Sequence, residues 1–294
     1  MVVDATHWSR WPTHTCFSLF PGFPAKDIVL ETVGISFSSL PPSWRLDGRV
    51  AFVTGAGGAI GGAVCRALSE AGARVVCADL SPEAAQATAR AVDGEPAVLD
   101  VCDRKAFDAA VHDAAGRLGR LDVMCNIAGI PGRSQRVAEL EEEAFDQMFA
   151  VHFKGVLYGC QAALRCMLPA GRGAIVNMSS EAIDIAPATI ASYSVSKAAV
   201  SMLSKVLAAE VGPRGVRVNT VAPSFIPSAL SLRRYQDDEQ GRQRYLDGWA
   251  AKSPLGTLCS ADDVAMQVLY LASDAAGFVS GQTMRANGGI SMPW

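Results

Sequence analysis

Several absences narrow what this chain can do. Charge of one sign is lacking: a formal net charge of -3 over 294 residues gives no electrostatic reason to bind nucleic acid or an anionic membrane. Long hydrophobic runs are lacking too. The longest apolar candidates, such as Leu118–Ala128, are strand-sized or broken by charge, so no bilayer span is expected. The eight cysteines contain no Cys-x-x-Cys pair, and Cys77 and Cys125 lie inside apolar runs. They read as reduced core thiols of a cytoplasmic protein rather than as disulfides or zinc ligands. Of the four histidines, His7 and His14 stand near Cys16, but no helix or turn pattern sets a ligand geometry there, and no metal site is expected. Internal repeats, low-complexity tracts and a second domain are also missing.

Residues 1–46 mix Trp, His, Pro, Ser and Phe without a basic stretch followed by an apolar one, and without Arg enrichment. They read as an irregular or disordered extension rather than a targeting peptide. From residue 47 to 294 the texture is regular and reads as a single domain. Strand-type runs are expected at Arg49–Val53, Arg74–Ala78, Pro96–Leu99, Leu121–Asn126, Ala174–Met178, Val216–Val221 and Thr283–Ala286. Helical stretches alternate with them at Ala59–Ala71, Pro82–Val92, Arg104–Arg117, Glu141–Leu168, Ser192–Val211 and Ala261–Ala272. Near-continuous apolar strands separated by helices predict a parallel sheet covered on both faces, a doubly wound α/β fold. The segment 223–254 is apolar at its start and Arg-rich in its middle, and reads as a mobile substrate lid with a short helix.

The first strand runs into Thr54-Gly-Ala-Gly-Gly-Ala-Ile-Gly61-Gly62 and then a helix. Glycines there let the backbone approach a pyrophosphate, which meets the free N–H groups of the helix N-terminus. Tight strand–helix packing also selects glycine, but here Asp79 closes the next strand. A carboxylate at that point accepts both ribose hydroxyls of NAD and repels the 2′-phosphate of NADP, and its neighbours Ala78 and Leu80 offer no cation to reverse that preference. By itself Asp79 could equally be a turn or helix-cap residue. Asp100 closes the third strand, within reach of an adenine amino group. Asn126-Ile-Ala-Gly129 closes the fourth, at the switch point where open α/β sheets bind ligands.

Ser179-Ser180 ends the fifth strand, and Tyr193-Ser-Val-Ser-Lys197 follows thirteen positions after Ser180. Tyr193 and Lys197, four apart on a helix, share one face roughly 6 Å apart. A phenol of pKa about 10 is a poor base at neutral pH. A fixed cation about 4 Å away contributes on the order of 4 kcal/mol at an effective dielectric of 20, up to about three pKa units. Lys197, helped by the positive ring of NAD⁺, is therefore expected to bring Tyr193 close to 7, where proton transfer is most efficient. Ser180 would hold the substrate oxygen.

These motifs, with Arg217-Val-Asn219-x-Val-Ala-Pro223 and Asn287-Gly-Gly289 after them, resemble the single-domain short-chain dehydrogenase/reductases from about Leu46 onward. The resemblance implies a seven-stranded parallel Rossmann-type sheet and an NAD cofactor contacted by Gly55, Gly58, Ala59, Ile60, Gly61, Asp79, Leu80, Asp100, Val101, Asn126, Ala128, Gly129, Tyr193, Lys197, Pro223, Ile226 and Ser228. It also implies that Asn219 fixes the strand beneath the cofactor, and that the helices Glu141–Leu168 and Ser192–Val211 form the faces of a homodimer or homotetramer. The family's fourth catalytic residue is an Asn that anchors a proton-relaying water, and His152 stands in its place here. A neutral imidazole can accept one hydrogen bond and donate one, so both a relay and a packing role stay open. Ser224 replaces the usual Gly after Pro223, and Ser228 stands where Thr is common.

The expected activity is interconversion of a secondary alcohol and a ketone, with catalysis by Ser180, Tyr193, Lys197 and His152. The apolar lid segment at 225–232 suggests a hydrophobic or cyclic substrate. The alternatives are a 3-oxoacyl-type reductase, which Asp79 disfavours, and a catalytically silent NAD(H)-binding sensor, which the intact Ser180, Tyr193 and Lys197 set disfavours.

Overall fold

A computed structural model describes residues 40–293 except 230 and 236, with residue 234 described in its backbone alone. The readings made on His7, His14 and Cys16, and most of the 1–46 extension, lie outside the described residues. The strands are β1 Val50–Thr54, β2 Arg74–Asp79, β3 Glu95–Val98, β4 Val123–Asn126, β5 Gly173–Met178, β6 Val216–Val221 and β7 Thr283–Met284. Every pairing is parallel, in the order β3-β2-β1-β4-β5-β6-β7. This is the doubly wound Rossmann-type sheet expected from the alternating pattern. The strand order reverses between β1 and β4, which places the ligand crevice at their C-terminal ends.

Nine α-helices are described: α1 Ala59–Glu70, α2 Pro82–Ala91, α3 Arg104–Leu118, α4 Glu142–Met148, α5 Gly155–Ala170, α6 Ala182–Ile185, α7 Ala191–Val211, α8 Glu239–Ala250 and α9 Ala261–Ala272. Their ends follow from local chemistry. Ser81 caps α2 by accepting from the Ala84 N–H (3.1 Å), with Pro82 in the first helical turn. Asp103 caps α3, which stops at Gly119 in the left-handed region at φ 80°. Ser260 and Asp263 form a reciprocal capping box at α9.

Strand alternation divides the core into two layers. Ala51 and Val53 of β1 face the layer under α1 and α9, while Val50 and Phe52 face the layer under α3, α5 and α7. All five residues of β1 are buried, as a strand covered on both faces requires. No helix among the described residues is long and apolar enough to cross a membrane.

One departure bears on the site. The stretch read as a single helix over 141–168 is α4, then a π-helical segment Phe149–Lys154, then α5. The wider turn accommodates an extra residue, and His152 within it is fully buried.

Candidate active site

The nucleotide end is shaped mainly by backbone. Gly55 turns the chain out of β1 at φ 69°, and a Cβ there would lie 2.8 Å from Ala128 Cα; one on Gly61 would lie 2.0 Å from the Gly55 carbonyl oxygen. Only glycine lets the turn fold onto itself and onto the β4 loop. Thr54 Oγ1 accepts from the Ile127 and Ala128 N–H groups (3.1 and 3.2 Å), tying the two loops together. Helix α1 has Gly58 as its N-cap, with no side chain capping its first N–H groups and no acidic residue in its first turn. Asp79 accepts from the Gly57 N–H through Oδ2 (2.9 Å) and from the Ser81 N–H through Oδ1 (3.0 Å). It is therefore a turn residue, yet a carboxylate with about four acceptor sites retains capacity for two ribose hydroxyls. An uncapped helix N-terminus and an acidic residue on one cavity fit a dinucleotide.

At the other end of the same cavity, which holds about 790 Å³, are Ser180, Tyr193 and Lys197. Ser180 follows β5, and its hydroxyl accepts from the Ala182 N–H (3.2 Å). Helix α7 is locked to the end of β5 by hydroxyls. Ser179 donates to the Lys197 carbonyl (2.9 Å), and Ser201 donates to Ser179 (2.9 Å). Lys197 is buried, its Nζ donates to the Met178 carbonyl (2.9 Å), and it stands 5.9 Å from the centroid of the Tyr193 ring. The i, i+4 pair thus meets as its spacing predicts.

The expected electrostatics differ. Burial raises the Tyr193 phenol above its ordinary value, with the Ser180 hydroxyl pulling it back. Burial also pushes the Lys197 ammonium down to about 8. For both groups burial is the largest cause of the shift. The further charge on which the expected drop relied is the ring of NAD⁺, which belongs to the cofactor.

His152 accepts from the Ile130 N–H through Nε2 (3.0 Å), and its Nδ1 pairs with Ser196 Oγ at 3.1 Å. Ser196 in turn donates to the Tyr193 carbonyl (2.7 Å). Burial first, and Lys197 second, push the imidazole down to about 2.

Of the expected contacts, Gly55, Gly58, Ala59, Ile60, Gly61, Asp79, Ala128, Gly129, Pro223, Ile226 and Ser228 line the cavity with Ser180, Tyr193, Lys197 and His152. Four do not line it. Leu80 projects outward, 69% exposed. Asp100 accepts from the Cys102 N–H through Oδ1 (2.9 Å). Val101 packs against Gly155. Asn126 is buried and donates its amide to Asn177 Oδ1 (2.8 Å), so it braces β4 against β5. Asn219 joins Val279 O (2.8 Å) and the Gln282 N–H (3.0 Å), pinning the approach to β7.

Sequence reasoning missed Ser196, Ser179 and Ser201 as bracing residues, because hydroxyls inside a helical pattern carry no signal of their own. It also missed the lid's aromatic wall. Phe225 stacks on Trp249 (5.1 Å) and meets Tyr245 edge-on (5.2 Å), and all three line the cavity. The spacing of Tyr245 and Trp249, four apart on α8, is the feature that could have revealed it.

The family described as Enoyl-(Acyl carrier protein) reductase matches residues 55–291. The chain is 37% identical to D-threitol dehydrogenase of Mycolicibacterium smegmatis, over 85% of this chain and 95% of that one. It is 34% identical to galactitol 2-dehydrogenase (L-tagatose-forming) of Cereibacter sphaeroides, over 85% and 97%. Among solved structures, a gluconate 5-dehydrogenase from Burkholderia cenocepacia in complex with NADP and tartrate superimposes with a TM-score of 0.78 at 34% identity, covering 84% of this chain and 97% of that one.

Proposed function

The chain belongs to the short-chain dehydrogenase/reductase family, and on that premise we propose that it interconverts a secondary alcohol and a ketone with NAD(H), using Tyr193 as general acid and base. The observation that carries this reading is the meeting, on one cavity, of the uncapped α1 N-terminus and Asp79 with Ser180, Tyr193 and Lys197. Bound NAD(H) supplies or accepts the hydride. Ser180 hydrogen-bonds the substrate oxygen and orients the carbonyl. Tyr193 gives its hydroxyl proton to that oxygen during reduction and takes it back during oxidation. Lys197, anchored on Met178 O, stabilises the phenolate left behind.

Phe225, Tyr245 and Trp249 offer apolar faces to a hydrophobic or cyclic substrate. A polyol is the second reading, favoured by the likeness to D-threitol and galactitol dehydrogenases. The exposed Val195, Met202 and Val206 on α7 support assembly as a homodimer or homotetramer, and the free thiols support a cytoplasmic location. The test is a panel of alcohols graded in size and polarity, offered with NAD⁺ and NADP⁺ and followed by absorbance of the reduced cofactor. Turnover with NAD⁺ on cyclic or apolar secondary alcohols is the expected result. Polyols alone would establish the second reading, and a preference for NADP⁺ would remove the NAD assignment.

A further inference from the structure

His152 lies in a chain of three consecutive hydrogen bonds whose directions admit one assignment. The Ile130 N–H can only donate, so Nε2, its acceptor at 3.0 Å, carries no proton. A neutral ring then has its single proton on Nδ1. The Tyr193 carbonyl can only accept, so Ser196 Oγ spends its hydrogen there. A lone pair of Ser196 Oγ is left to receive Nδ1–H at 3.1 Å. The chain therefore runs Ile130 N–H to imidazole to Ser196 hydroxyl to Tyr193 carbonyl, with each proton committed.

We propose that His152 is a fixed, uncharged strut that sets the spacing between the Gly129–Ile130 loop and the Tyr193 turn of α7, a positioning residue and not a proton carrier. The two structures it joins carry the opposite sides of the reaction site. Gly129 lines the cavity above it, and a Cβ on Gly129 would meet His152 Nε2 at 3.2 Å and Lys197 Nζ at 3.7 Å. The ring also presents itself edge-on to Tyr193, with centroids 5.3 Å apart. Lys197 and Tyr193 are thus titratable groups of α7 facing the imidazole. A proton on the ring would sit beside the lysine ammonium, fully desolvated, and would have to break the bond from Ile130. Burial and Lys197 hold the ring neutral accordingly. A relay needs a group that can exchange protons with a neighbour, and neither nitrogen has a free site.

Two measurements test the strut. Nitrogen NMR of protein labelled with ¹⁵N-histidine should show one ring with a protonated Nδ1 and a bare Nε2, unchanged between pH 5 and 8 and lost in His152→Gln. The opposite tautomer, or a titration of that ring in this window, would overturn the proposal. This readout needs no substrate.

The kinetic arm rests on the dehydrogenase reading. His152→Asn can place a donor near Nδ1 but not an acceptor near Nε2. His152→Gln does the reverse, and Ser196→Ala cuts the lower bond. Each should lower kcat by roughly 10- to 100-fold, as displacement of a reacting group does, with KM for the cofactor held within about twofold. Combining His152→Gln with Ser196→Ala should cost no more than either alone, because both break one link. Wild-type kcat in His152→Asn, the outcome a relay predicts, or in Ser196→Ala, or additive losses in the double variant, would sink the strut. Absence of any turnover in the wild type would count against the dehydrogenase reading alone, and the tautomer would still decide the strut.

Discussion

At the β1–β2 end of the cleft, the parts that matter lie close together in sequence and work mainly through backbone. The turn at 55–61, the start of α1, and Asp79 bonded to the N–H two residues on make a nucleotide seat whose shape depends on where side chains are missing. At the β5–α7 end, the working atoms are side chains braced by residues far apart: Ser179 by Ser201, His152 by Ser196 and the Ile130 N–H, and Lys197 by Met178 O. Around its glycines the first end is sensitive to added volume. The second tolerates little change of chemistry, since removing one hydroxyl leaves a buried partner unpaired.

The sharpest way to test that contrast is Tyr193→Phe, which removes one oxygen and leaves the ring. It should lower kcat by about 10²- to 10⁴-fold, the span of general acid–base catalysis, or roughly 3–5 kcal/mol. Binding of NADH, followed by fluorescence, should be kept, because the seat lies at the other end. A loss under tenfold would take Tyr193 out of the proton transfer.

At the nucleotide end the comparable insult is one methyl group. Gly61→Ala would put a Cβ 2.0 Å from the Gly55 carbonyl oxygen, where only backbone can yield. Overpacking of this kind costs about 1–3 kcal/mol, a fall of roughly 3–10 °C in Tm for a domain of this size, with weaker cofactor binding. Gly62→Ala is the control, since its Cβ would meet only Ala56 O at 3.5 Å, an ordinary contact. Equal effects from the two would show that close approach is not what the turn requires.

The same contrast explains what could be read in the sequence. The parallel sheet and the glycine turn were legible because they rest on local signals: apolar runs, alternation with helices, and glycines where strand meets helix. Tyr193 and Lys197 were legible because four-residue spacing on a helix fixes their geometry without knowledge of anything else. The π-helical segment around His152 was not legible, since Phe149–Lys154 continues a helical pattern and no residue in it marks a wider turn. Nor was the part played by His152, which depends on a hydroxyl 44 residues away and a backbone N–H 22 residues away. Asn126 closes β4 and Asp100 follows β3, and their side chains bond Asn177 and the Cys102 N–H, contacts that the sequence does not reveal. The position of a strand end identifies the crevice, not the direction of each side chain.

A pH experiment separates the ends in another way. His152 is pushed down to about 2 in the fold, whereas an unfolded histidine titrates near 6.5. Between these values the unfolded chain binds the extra proton, so stability rises with pH there and falls on acidification. From pH 6.5 to 5 this group alone should remove about 2 kcal/mol. His152→Asn has no such proton, and carboxylates common to both proteins cancel in the difference. Wild type should therefore lose more stability than His152→Asn on going to pH 5, as read by urea midpoints. Parallel losses would mean that the imidazole takes up its proton within the fold.

The smallest expected effect is on cofactor choice. Asp79 bonds the Gly57 and Ser81 N–H groups, and under the proposed NAD reading it would also present negative charge where NADP carries its 2′-phosphate. Asp79→Ala removes both, so lower stability would accompany any change in preference and obscure its cause. Asp79→Asn separates them, because the amide keeps one acceptor for the turn but loses the charge. The ratio of kcat/KM for NAD over NADP should fall by about tenfold in Asp79→Asn, about 1.4 kcal/mol, with Tm shifting less than in Asp79→Ala. An unchanged ratio in both variants would leave Asp79 as a turn residue only. Discrimination would then have to come from the glycine turn, whose shape rather than charge is the property set by its residues.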